Sequence, residues 1–210
     1  MKVTREQLCL YAVTDRSWLG ERSLYEQVEA ALAGGVTMVQ LREKELAPEK
    51  FRQEAESING LCKQYHVPLI INDNVELALA VGAAGVHIGQ QDMDIKDARK
   101  ILGEDKIIGV SARTVEQALL AWRGGADYLG SGAVFGTTTK GNASMLPLET
   151  FREICSAVEI PVVAIGGVSE ENILQLRGLG AAGVAVVSAV FASEDITGAA
   201  ERLLELSKQL

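Results

Sequence analysis

Eight short apolar runs recur about every 25 residues, four near-identical glycine phrases punctuate them, and amphipathic stretches fill the intervals; together these predict a single-domain (β/α)8 barrel spanning residues 1–210. The runs are Leu8–Val13, Thr37–Leu41, Pro68–Ile71, Gly85–Ile88, Lys106–Val110, Asp127–Leu129, Ile160–Ile165 and Gly183–Val187. They are short and rich in Val, Ile and Leu, as strands buried on both faces are. The glycine phrases are Gly34-Gly35-Val36, Gly82-Ala83-Ala84-Gly85, Gly124-Gly125-Ala126 and Gly180-Ala181-Ala182-Gly183. Each marks a helix-to-strand turn, because glycine ends a helix by taking the left-handed conformation that side chains resist. The phrases precede every second run, while the other runs open with Val67-Pro68, Asp105-Lys106 or Ile160-Pro161, so the chain reads as four successive βαβα quarters. A doubly wound sheet is the structural alternative, but eight regular units without a break suit closure better.

Helices are legible from caps. Ser23 precedes the stripe Leu24, Val28, Ala31 and Leu32, with Glu26 at capping-box spacing. Thr114 with Gln117, and Ser169 with Asn172, mark comparable helix starts.

A chain of 210 residues with 48% hydrophobic content can bury one large core. Its formal net charge of −8 argues against nucleic-acid or anionic-membrane partners, although a local basic pocket is compatible with it. No apolar stretch reaches the roughly 18 residues of a membrane span, and Thr4, Arg5 and Glu6 stand where a signal peptide would be hydrophobic, so a cytoplasmic location is expected. Cys9, Cys62 and Cys155 are scattered and odd in number, which predicts buried or half-buried thiols rather than disulfides or a zinc site. With only His66 and His87, a histidine-rich metal centre is not expected. Exposed apolar helix faces would allow a homo-oligomer; Trp18 and Trp122 equally suit packing within one subunit.

In such a barrel, ligands meet the loops that follow the strands. Gln40, Arg42 and Lys44 share one face as the second strand ends. Asn72-Asp73 follows the third strand, and Asp92 lies in His87-Ile88-Gly89-Gln90-Gln91-Asp92 after the fourth. Two carboxylates from adjacent exits suit Mg²⁺ better than zinc or calcium, because Mg²⁺ fills its other positions with water and phosphate oxygens. Each aspartate also fits the plainer role of capping the next helix, and His87 reads as a barrel-packing residue. Ser111 follows the fifth run and would serve equally as a helix cap. Gly136-Thr137-Thr138-Thr139-Lys140-Gly141-Asn142 belongs to the longest connection, either a loop closing over substrate or a polar linker. Finally, Gly166-Gly167 and Val187-Ser188 follow the seventh and eighth runs, where backbone N–H groups commonly bind phosphate. Two phosphorylated small-molecule substrates are therefore expected.

Taken as an ordered set, Gln40-Leu41-Arg42-Glu43-Lys44, Ile71-Asn72-Asp73, His87-x-Gly89-Gln90-x-Asp92, Gly109-Val110-Ser111, Thr137-x-Thr139-Lys140, Ala164-Ile165-Gly166-Gly167 and Val187-Ser188 resemble the thiamine phosphate synthase family over nearly the whole chain. The resemblance implies that 4-amino-5-hydroxymethylpyrimidine diphosphate and a thiazole phosphate are joined, releasing diphosphate by a dissociative substitution. It implies that Gln40, Leu41, Arg42, Glu43, Lys44, Asn72, Ser111 and Lys140 hold the pyrimidine diphosphate. Asp73 and Asp92 would bind Mg²⁺, while Thr137, Thr138, Thr139, Gly167, Val187 and Ser188 would receive the thiazole phosphate. Lys140, Ser111 and Arg42 would carry catalysis through electrostatic stabilisation and positioning. Many relatives have Pro at Gly136, an acidic residue near Gly141-Asn142 and His at Arg113. The last difference, with the complete His-x-Gly-Gln-x-Asp segment, argues against the related thiazole tautomerases. A noncatalytic sensor of thiazole or thiamine phosphate is a further alternative, but would not need the two aspartates.

Overall fold

A computed structural model describes residues 3–136 and 145–210. Eight strands pair in chain order, all parallel, and β8 closes on β1. They are β1 (Leu10–Val13), β2 (Met38–Leu41), β3 (Leu69–Asn72), β4 (Gly85–Ile88), β5 (Ile107–Ser111), β6 (Tyr128–Gly132), β7 (Val162–Ile165) and β8 (Gly183–Val186). Around them run α1 (Arg5–Leu8), α2 (Leu24–Ala33), α3 (Pro48–Gln64), α4 (Val75–Ala80), α5 (Ile95–Leu102), α6 (Val115–Arg123), α7 (Leu148–Ala157), α8 (Ser188–Phe191) and α9 (Ile196–Ser207). This is the expected (β/α)8 barrel.

Alternation along each strand separates two cores. Outward residues such as Leu10, Val39, Leu41, Ile71, Val86, Leu129 and Val184 pack against the helices. Inward residues Tyr11, Val13, Met38, Ile70, Ile107, Tyr128, Val163 and Ala185 fill the barrel. Val3 and Leu8 join this inner cluster. Thr4 and Gln7 form a capping box on α1, so Leu8 at the start of the first apolar run is helical and plugs the barrel floor, and the strand begins only at Leu10.

The other caps divide similarly. Ser23 and Glu26 make the expected reciprocal box on α2. Thr114 caps α6, although the Gln117 side chain turns back to the Arg113 N–H. After Ser169 and Asn172 there is only a 3-10 turn over Ile173–Leu176, where a full helix start was expected. Gly178 and Gly180, both at positive φ, close that segment before a second turn can form. Among the described residues, no helix is long and apolar enough to cross a membrane. The three cysteines are free, and burial pushes the Cys62 and Cys155 thiols up to about 12.

At the floor, the Asp127 carboxylate accepts from the Ile108 N–H and from Arg99 at 2.8 Å each, while Arg99 also donates to the carbonyls of Gly103, Lys106 and Gly125. This half-buried node ties β5 to β6 through α5. Higher in the barrel, a Cβ added at Gly109 would overlap the Tyr128 ring, which is wholly buried. Gly109→Ala is therefore expected to lower stability by about 1–3 kcal/mol through overpacking. Urea unfolding checks this, and an unchanged midpoint would mean that the ring has room to move.

Candidate active site

The strand exits surround one cavity of about 670 Å³ at the C-terminal end of the barrel. Of the residues singled out in the sequence, Gln40, Arg42, Lys44, Asn72, Asp73, Asp92, Ser111, Gly167, Val187 and Ser188 line it. Thr137, Thr138, Thr139 and Lys140 lie outside the described residues.

Leu41 and Glu43 do not line the cavity, because the alternation that turns Gln40 and Arg42 inward turns these two outward. Leu41 is fully buried among the helix-facing residues. Arg16 Nε lies 2.8 Å from Glu43 Oε1, and the same guanidinium pairs with Glu54 on α3. Burial pushes the Glu43 carboxyl above its ordinary range, only partly offset by Arg16. The Glu43 side chain thus anchors the β2 exit from behind. On the cavity side, the Arg42 N–H donates to Thr14 Oγ1 at 3.0 Å, and its guanidinium lies 3.4 Å from Asp15.

Neither aspartate caps a helix. Asn74 caps α4 and Asp94 caps α5. Asp73 instead sits at φ +63, in the left-handed region, with its N–H bonded to the His87 carbonyl and one carboxylate oxygen accepting from Asn72 at 2.5 Å. An observed left-handed non-glycine residue is held there by its surroundings and marks a site where geometry outweighs backbone comfort. Asp92 closes its own loop by accepting from the Gly89 N–H at 2.7 Å. Gln90, from the same segment, donates to the Ser111 carbonyl at 2.7 Å and ties the β4 exit to β5.

Ser111 is the last residue of β5 rather than a helix cap; Thr114 takes that role. Its hydroxyl lies 3.0 Å from His87 Nε2, and His87 Nδ1 lies 3.0 Å from the Tyr128 hydroxyl. Tyr128 in turn is 2.8 Å from the Tyr11 hydroxyl, which accepts from Gln40 Nε2 at 2.7 Å. His87 packs in the barrel as expected, yet as a hydrogen-bonded member of a polar chain. In the sequence, Tyr11 and Tyr128 read only as members of apolar strand runs. The available signal was that a tyrosine facing a closed interior needs a partner for its hydroxyl.

On the opposite wall, Gly166 and Gly167 have φ of +94 and +68, and an added Cβ on either would collide with Ala133 or Gly136. Backbone therefore approaches backbone more closely there than any side chain permits. The short α8 begins at Ser188 beside this wall. Arg113 and Gln117 also line the cavity; in the sequence the former stands out only as a departure from its relatives and the latter only as a helix-start residue. Among the described lining residues, three cations, Arg42, Lys44 and Arg113, share the cavity with two carboxylates, Asp73 and Asp92, in a chain that is acidic as a whole.

A family model described as thiamine monophosphate synthase matches residues 10–190. The chain is 50% identical over 197 residues to the thiamine-phosphate synthase of Ruminiclostridium cellulolyticum, covering 94% of each. It is 50% identical over 194 residues to the protein of that name from Clostridium tetani, covering 92% of this chain and 93% of the other. A thiamine phosphate pyrophosphorylase structure from Pyrococcus furiosus superposes with a TM-score of 0.90 at 39% identity, covering 97% of both chains. With its barrel and cavity lining on the same footing, the chain belongs to the thiamine monophosphate synthase family, whose members are transferases of thiamine biosynthesis.

Proposed function

We propose that this enzyme condenses 4-amino-5-hydroxymethylpyrimidine diphosphate with a thiazole phosphate, giving thiamine phosphate and diphosphate. The observation that carries the reading is the gathering of cationic, carboxylate and glycine-rich strand exits around one cavity. Arg42, Lys44 and Lys140 would hold the diphosphate, with Gln40, Asn72 and Ser111 placing the pyrimidine. Gly167, Val187 and Ser188, with Thr137, Thr138 and Thr139, would take the thiazole phosphate.

The donor set suits Mg²⁺. Asp73 and Asp92 line the same cavity, and each accepts a hydrogen bond from a neighbouring residue of its own loop. Among the described residues there is no group of three His, Cys, Asp or Glu side chains that would enclose a metal. Two carboxylates with room for water and phosphate oxygens match a small, hard cation. Bound there, the ion would neutralise charge on the departing diphosphate.

The chain's own residues would do the rest by position and charge. The guanidinium of Arg42 and the ammonium of Lys44 stabilise negative charge as the bond from the exocyclic carbon to the diphosphate oxygen breaks. The electron-rich aminopyrimidine spreads the positive charge left behind, and the thiazole nitrogen supplies the electron pair of the new C–N bond. Holding both reactants in one cavity replaces a bimolecular encounter. No protein base is needed, because the attacking nitrogen carries no proton.

Diphosphate release is expected only when both substrates and Mg²⁺ are mixed. It should stop on chelation and return with added Mg²⁺; release from one substrate alone, or tight binding of both without turnover, would contradict the synthase reading. Asp73→Ala is expected to keep the fold while lowering kcat/KM about 10²-fold or more. Asp73→Gly should be equally slow but about 1 kcal/mol more stable than Asp73→Ala, since only glycine is at ease at positive φ. Turnover assays paired with thermal unfolding test both halves, and a fast alanine variant would remove Asp73 from the site.

A further inference from the structure

Five polar side chains from five different strands cross the barrel interior in one unbroken line: Gln40 on β2, Tyr11 on β1, Tyr128 on β6, His87 on β4 and Ser111 on β5. The first four are buried, with 5%, 1%, 0% and 9% exposure in that order, and Gln40, Tyr11 and His87 also line the cavity. The two ends, Gln40 and Ser111, are residues that the proposed function assigns to the pyrimidine substrate. The barrel makes space for the line, since a Cβ at Gly109 would overlap Tyr128 and one at Gly130 would press on His87 at 3.1 Å.

We propose that the Gln40 amide polarises this line in one direction, fixing neutral His87 as the Nε2–H tautomer and presenting the Ser111 hydroxyl to the substrate as a donor. The steps follow from donor and acceptor inventory. The Gln40 Nε2 group can only donate, so the Tyr11 oxygen accepts from it. The Tyr11 proton then goes to Tyr128, its other hydroxyl neighbour, at 2.8 Å. Having accepted from Tyr11, Tyr128 donates to His87 Nδ1. Burial pushes both phenols well above the usual tyrosine range, so each keeps the proton it passes forward. With Nδ1 accepting, the ring proton sits on Nε2 and donates to Ser111 Oγ. The serine proton is left to the cavity that Ser111 lines. A doubly protonated His87 would break the sequence, because Tyr128 would receive two donors with its own proton stranded in a buried site. Tyr11, Tyr128 and His87 are thus positioning residues: they act on the substrate through Ser111.

The proposal rests on the functional reading only for what Ser111 meets; its core is tested without any substrate. The full chain contains two histidines, and His66, at φ +56, tolerates His66→Asn because asparagine accepts the left-handed conformation. In that background, ¹⁵N spectra of the labelled His87 ring at neutral pH are expected to show a roughly tenfold or greater excess of the Nε2–H tautomer, the bias that one unmade buried hydrogen bond would impose. In Tyr11→Phe, which cuts the amide from the rest of the line, the excess should shrink. A predominantly Nδ1–H ring in the unsevered line would overturn the proposal, for it would mean that the links beyond Tyr11 run the other way and Ser111 is offered as an acceptor. An excess that persists undiminished in folded Tyr11→Phe would also overturn it. If the tautomer result holds while the substrate mixture yields no product, the relay stands and the reading of the substrates fails.

Discussion

Closing eight parallel strands into a single ring forces each strand to divide its residues between two enclosed environments. Every second side chain must pack against the helices and the rest must share a narrow lumen. Hydrophobic burial drives both sides, but the lumen is too tight for eight large residues at one level. Gly109 and Gly130 give way where Tyr128 and His87 enter. The same alternation delivers Gln40, Arg42 and Ser111 to the cavity while sending Leu41 to the outer core and Glu43 to its partners Arg16 and Glu54.

Polar groups inside such a lumen are tolerated only when their hydrogen bonds are made, since an unmade one has no water to fall back on. That demand links residues far apart in the chain. Tyr11 and Tyr128 are 117 positions apart and meet hydroxyl to hydroxyl, and through them the β2 and β5 exits become one electrostatic unit. The rim is built differently. There, Asp73 is held at positive φ by its bond to the His87 carbonyl and by Asn72, and Asp92 is held by Gly89, so both carboxylates are preset by short local contacts. Rigid floor and preset rim together suit a site that works by placing charge rather than by moving protons.

The opposite wall is shaped by what is missing. Gly166 and Gly167 admit neighbouring backbone where any side chain would collide, and the glycines are followed by a turn stitched by Asn172 to Ser169 and Gly167. A surface made of main-chain groups is well suited to a phosphate and carries little information about the rest of the ligand.

By itself the sequence determined the barrel, the facing of the second strand's exit and many of the residues that line the cavity. Apolar runs, glycine turns and period-two spacing are local consequences of backbone geometry, and an exit residue such as Arg42 or Asp73 is recognisable from where its strand stops. It did not reveal that the run at Leu8 belongs to a plugging helix, because an apolar residue reads alike in a strand or at the end of a helix. Period two already sets Glu43 on the other face from Gln40, Arg42 and Lys44, and only the family resemblance places it at the substrate; its partners Arg16 and Glu54 are distant in the chain and could not be read from it. Only the tertiary structure decided the line from Gln40 to Ser111. Tyr11 and Tyr128 look like ordinary strand residues until ring closure brings their hydroxyls together, because a hydrogen bond between remote strands depends on distances that no single segment encodes.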